Sequence, residues 1–185
     1  PKDSVQGWKW VSKAAEQGDT RAQTLLGAAY FDGDGVPQDK AKAAKWYLKA
    51  AEQGNTDGQN SLGYIYNNGL GATQDNEKAL FWYTKAAEKG NPEAQFNLAT
   101  LYQNGEGVTQ DYKEAINWYT KAAEQGLAKS QYNLALMYEL GFGVALNDKK
   151  AFYWYNKAAM QGHAESQYWL ARQYYYGEDL KIDKK

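Results

Sequence analysis

Apolar positions along this chain fall into two alternating blocks, each with the three-and-four spacing of one helical face. In residues 20–32 the recurring positions are 22, 23, 26, 27 and 30, and in residues 39–53 they are 43, 46, 47, 50 and 51. Both blocks return in constant phase. Trp10, Trp46, Trp82, Trp118 and Trp154 stand 36 residues apart, as do Lys13, Lys49, Lys85, Lys121 and Lys157. Gln23, Leu26 and Tyr30 recur at the same interval down to Gln167, Leu170 and Tyr174. Self-similarity at this period marks a repeat architecture in which no single unit buries its apolar face alone.

The spacing predicts a pair of helices per unit, helix A near 20–32 and helix B near 39–53, and ten helices over the whole chain. Gly-x-Gly sequences such as Gly33/Gly35 and Gly69/Gly71 separate A from B, and a single glycine of the Gly54 kind separates B from the next A. Glycine supplies the positive φ that a helix end requires, while Asn91 and Pro92 suit the cap and first turn of the following helix. Short connections make neighbouring helices antiparallel. The expected fold is all-α, a two-layer superhelical α/α solenoid of 36-residue helix-turn-helix repeats. The register expects one array over residues 1–185, about five repeats. It opens on a B helix without its A partner and stops where another B helix is due, as a piece of a longer array would.

Composition narrows the chemistry. Lys and Arg number 21 against 22 Asp and Glu, a formal net charge of −1, so the basic excess of a nucleic-acid binder is missing. The unbroken apolar runs, such as 79–83, are far shorter than the ~20 residues a membrane helix needs. Cysteine is absent, which excludes disulfides and thiolate metal sites. The one histidine, His163, occupies the inter-repeat loop register of Asp19, Asn55, Asn91 and Leu127, where a capping or solvent-exposed role is expected rather than catalysis. The Gly-x-Gly loops lack the Lys-Ser/Thr of a phosphate-binding loop. No nucleophile, base or metal cluster is evident, so the expectation is a protein that is not an enzyme and carries no cofactor or metal.

The pattern A-x-x-x-L-[GA]-x-x-Y-x-x-G-x-G-V…D-x-x-K-A-x-x-W-Y-x-K-A-A-x-x-G resembles the Sel-1-like repeat family, relatives of the tetratricopeptide repeats. "DKAKAAKWYLKAAEQGN" (39–55) and "DNEKALFWYTKAAEKGN" (75–91) carry it most clearly. The resemblance implies right-handed superhelical scaffolds that hold other proteins together. Known members include bacterial exported or periplasmic adaptors, host-interaction factors and subunits of endoplasmic-reticulum degradation complexes; some were once proposed to bind β-lactams. A bacterial periplasmic or exported location is what the resemblance implies here. Val11 and Asp179 depart from the pattern near the two ends.

A residue repeated in every unit serves packing that every unit needs. The helix-B Trp and Tyr are therefore expected in the core, the repeated Lys stems over the aromatic layer, and the repeated Gln on backbone groups at a helix junction. Positions that vary along helix A are the candidates for recognition. In solenoids of this kind the A helices line the concave wall. The candidates are Tyr64, Asn68, Phe96, Asn97, Tyr132, Asn133, Leu136, Tyr168, Trp169, Arg172 and Tyr176. This stripe is nearly uncharged, rich in Asn and increasingly aromatic toward the C-terminus. Tyr, Trp and Arg are typical interface anchors. The expected role is a non-catalytic adaptor for a protein or peptide partner, without nucleic-acid binding or membrane insertion. The alternatives are a carbohydrate-binding module, which would use ring stacking and Asn hydrogen bonds, and, behind it, a hydrolase or β-lactam binder. For the last of the aromatic positions, packing on a neighbouring repeat competes with binding. Self-association through uncapped ends is a further expectation.

Overall fold

In the computed structural model the described residues are 4–176, with side chains from 6 to 175. They form ten α-helices of 13 residues each: α1 (Ser4–Glu16), α2 (Thr20–Asp32), α3 (Lys40–Glu52), α4 (Thr56–Asn68), α5 (Asn76–Glu88), α6 (Pro92–Asn104), α7 (Tyr112–Glu124), α8 (Ala128–Leu140), α9 (Asp148–Met160) and α10 (Ala164–Tyr176). Even-numbered helices are the A blocks and odd-numbered helices the B blocks.

Each boundary has a chemical cause. Asp39, Asp75, Asp111 and Asn147 are extended residues whose side chains accept backbone N–H groups in the first turn of the B helix. Asp19, Asn55 and Asn91 do the same for A helices. Helices α2, α4 and α8 end on left-handed Gly33, Gly69 and Gly141. The glycine two residues further on answers a second demand. Gly71 has φ +82°, and a Cβ there would lie 2.3 Å from the Lys40 carbonyl. Each A–B hairpin closes on itself: Asp39 N donates to Tyr30 O at 2.8 Å and Gln38 Nε2 to Phe31 O at 2.9 Å. Asp75 with Gln74 and Asp111 with Gln110 repeat the arrangement.

The helices belong to two compact units, one holding described residues up to 94 together with 106–108, the other 95–105 and 109 onward. The first unit is built on Ala43, Tyr47, Ala51, Leu62 and Ile65 from α3 and α4. The second has two such centres, Ala99, Ala115, Tyr119, Ala123, Leu134 and Met137, and then Ala135, Ala151 and Tyr155. Alanine on the B helices lets the helix axes approach closely, and the tyrosine fills the remaining space. Burying so large a side chain contributes roughly 1.5–3 kcal/mol.

The helix-B aromatic pair divides its labour, which corrects the expectation that both members lie in the core. Consecutive helical residues point about 100° apart, so only one of the two faces the neighbouring A helices. That one is the tyrosine: Tyr119 is 0% exposed and Tyr83 and Tyr155 1%. The tryptophans stay half-buried at Trp46, Trp82, Trp118 and Trp154, and Trp10 is 60% exposed. The repeated lysine covers several of them, with Lys49 Nζ 4.2 Å from the Trp46 ring centre and Lys121 Nζ 3.8 Å from that of Trp118.

The repeated glutamine ties adjacent helices, as its sequence phase implied. Gln23, Gln59, Gln131 and Gln167 donate Nε2 to Ala15, Ala51, Ala123 and Ala159 carbonyls at 3.0–3.1 Å. A second glutamine continues the chain of bonds. Gln53, Gln125 and Gln161 donate to the side-chain oxygens of Gln23, Gln95 and Gln131, each at 2.8 Å.

Candidate functional site

The C-terminal A helices gather five of the sequence-selected residues around one cavity in the second unit. It has a volume of about 540 Å³ and lies among α8, α9 and α10. Helix α8 contributes Tyr132 and Leu136, and α10 contributes Tyr168, Trp169 and Arg172. Tyr132 and Leu136, like Tyr168 and Arg172, stand at i and i+4, and Trp169 and Arg172 at i and i+3, so on each helix they share one face. Tyr168 stands 69% exposed at the rim, whereas Trp169 is half-buried.

Behind them lies a fixed aromatic wall. Trp169 stacks on Tyr155 with ring centres 4.2 Å apart, and Tyr132 meets Tyr155 at 5.7 Å and His163 at 4.8 Å. Glu139, which sequence reasoning did not select, joins this wall. Its two oxygens accept from Tyr155 Oη at 2.5 Å and Trp169 Nε1 at 2.8 Å. Burial and the adjoining Glu139 carboxylate hold the Tyr155 hydroxyl well above the usual phenol range. Glu139 occupies the column Phe31, Asn67, Gln103, Glu139, Tyr175, which varies from unit to unit as the chosen columns do. Spacing of i, i+4 and i+7 from Tyr132 through Leu136 to Glu139 would have found it. His163 caps α10 as its register implied, with Nδ1 3.1 Å from Ser166 Oγ, and lies 3.5 Å from Glu165 at the cavity's edge.

The remaining candidates lie elsewhere. Within the second unit, Phe96 is half-buried against Tyr119 at 5.7 Å, with Lys129 Nζ 4.1 Å above it. Asn133 hydrogen-bonds the buried Tyr119 hydroxyl, which also donates to Gln103 at 2.8 Å, so this Asn supports the core. Asn97 occupies the same column and is half-buried. In the first unit Tyr64 is 46% exposed and packs edge-on to Phe31 at 6.2 Å. Asn68 is exposed and turns its amide back to the Tyr64 carbonyl at 2.9 Å. The Tyr176 side chain lies outside the described residues.

Family comparison accounts for the whole pattern. The Sel1 repeat profile matches residues 1–19, 20–55, 56–91, 92–127, 128–163 and 164–185. The chain belongs to the Sel1 repeat family. Sel1 repeat proteins generally mediate protein–protein interactions, and the family is typically a non-catalytic scaffold. This Sel1 repeat chain is similar to a protective antigen of uropathogenic Escherichia coli displaying an SLR fold, at 44% identity and TM-score 0.90; the likeness covers 95% of this chain and 38% of that one. The chain thus spans little more than a third of that relative's length. A Sel1 repeat protein from Oxalobacter formigenes shows 36% identity and TM-score 0.90, over 99% of this chain and 75% of that one. An immunity protein of Pseudomonas aeruginosa shows 27% identity and TM-score 0.61, over 93% and 64%. No curated protein sequence matches the chain. Among the described residues no helix is long and apolar enough to cross a membrane.

Proposed function

We propose that this chain is a non-catalytic adaptor that holds a peptide or protein surface against its A helices, with the cavity among α8, α9 and α10 as the anchoring point. One observation carries the proposal. Residues that break the repeat consensus, Tyr132, Leu136, Tyr168, Trp169 and Arg172, converge on a single cavity whose volume of about 540 Å³ falls in the usual range of ligand sites. Aromatic and arginine side chains around a concavity are the composition of interface anchors. The family's general use as a protein-binding scaffold supports the same reading.

The test is capture of partners from a cell extract by immobilised protein, compared across variants. Leu136→Glu and Tyr168→Ala remove cavity contacts; Met160→Ser alters a side chain 81% exposed at the end of α9 and serves as control. Partners bound by the wild type and by Met160→Ser, but lost from both cavity variants at unchanged helical circular dichroism, are the expected result. An identical captured set in all four proteins would remove the cavity from consideration.

A further inference from the structure

The cavity among α8, α9 and α10 is lined by two carboxylates as well as by aromatic rings. Its charge is what a plain hydrophobic anchor site would lack. Glu139 presents a carboxylate to a cavity walled by Tyr132, Tyr155 and Trp169, and Glu165 adds a second at the edge. The one cation lining it, Arg172, is exposed and forms no ion pair with either carboxylate among the described residues. Both Glu139 oxygens already accept a bond from the wall, which fixes the carboxylate's orientation. Each oxygen keeps a further lone pair.

We infer that the cavity receives a cationic side chain, an arginine or lysine of the bound segment, against the aromatic faces with Glu139 as its counter-charge. The inference rests on the adaptor reading and names the chemistry of what is anchored. An apolar side chain seated there would desolvate the Glu139 charge and supply no counter-ion, and an acidic one would meet two like charges. A cation gains attraction from the ring faces and a charge-assisted hydrogen bond together. The register supports the specificity. The equivalent positions carry Phe31, Asn67 and Gln103, so a carboxylate at this column is particular to the α8 repeat.

The experiment uses the indole N–H of Trp169, which is bonded to Glu139 Oε1, as a nuclear magnetic resonance reporter in the full chain. N-acetylarginine amide, its neutral near-isostere N-acetylcitrulline amide and the anionic N-acetylglutamate amide are titrated in parallel. A saturable shift with the arginine compound alone is expected. Glu139→Gln, which keeps the shape and an acceptor oxygen, should weaken it about tenfold. Arg172→Gln should strengthen it about threefold by removing a like charge from the rim. Equal response to citrulline, no response to arginine, or preference for glutamate through Arg172 each overturns the assignment. Were partner capture to depend on Leu136 and Tyr168 while the arginine probe failed, the adaptor reading would stand and the cation assignment alone would fall.

Discussion

At one repeat junction the glutamine chain is interrupted, and repairing it should stabilise the protein. Gln53, Gln125 and Gln161 each donate 2.8 Å bonds to the glutamine of the preceding junction. Between α5 and α6 the corresponding position is Lys89, whose ammonium goes to the Gly54 carbonyl at 2.9 Å instead. Gln59, 3% exposed with its Nε2 on Ala51 O, is consequently left with its buried Oε1 lacking a donor. A buried acceptor left unmade costs about 1–3 kcal/mol. The solvent-exposed lysine bond lost on substitution is worth about 0.5 kcal/mol. Lys89→Gln should therefore stabilise by about 1–2 kcal/mol, read as a rise in the urea midpoint at unchanged slope. The reciprocal Gln161→Lys strands the Gln131 oxygen and should destabilise by a similar amount. A Lys89→Gln midpoint at or below wild type, together with a neutral Gln161→Lys, would refute the account of the junction.

The division of the aromatic pair predicts that Tyr119→Ala costs about 3–5 kcal/mol, whereas Trp118→Ala, half-buried beneath Lys121, costs distinctly less; equal costs by urea titration would place both in the core. Asp75 has its carboxyl held below the usual range, first by the Lys78 backbone N–H and then by the Lys78 side chain. Its charged form is favoured in the fold, so its contribution is present above the ordinary value of 3.8 and is lost as pH falls through the lowered one. In Asp75→Asn this acid-side dependence should vanish, and the stability gap to wild type should narrow as thermal melts are taken below about pH 4. Gly71→Ala should cost more than the ~1–2 kcal/mol of a left-handed alanine, because its Cβ would press on Lys40; Gly90→Ala, with nothing within 4 Å, should cost only that conformational term.

How much of this was legible in the sequence follows from what repetition encodes. A phase of 36 residues made the helices, most of their caps and most of the glutamine ties legible, because these recur in the same chemical role in most units, with Leu127 before α8 and Lys89 after α5 as exceptions. Repetition could not separate Tyr119 from Trp118, since both recur, and only the direction in which each side chain leaves its helix decides which is buried. It also hid Asn133, which varies like a recognition residue yet bonds the Tyr119 hydroxyl. Glu139 was missed for a related reason. Its column alternates among Phe, Asn, Gln, Glu and Tyr, and its meaning emerges only when Tyr155 and Trp169, from two other helices, are brought to its oxygens.

The self-closing hairpins carry an evolutionary consequence. Because Asp39 and Gln38 bond to residues of their own pair, and the glutamine ties have the same form wherever they occur, a block of one period can be duplicated or deleted in the gene without stranding a backbone donor at the seam. Lineages can lengthen or shorten such a chain by recombination, and the side chains that tell one block from another are then free to diverge.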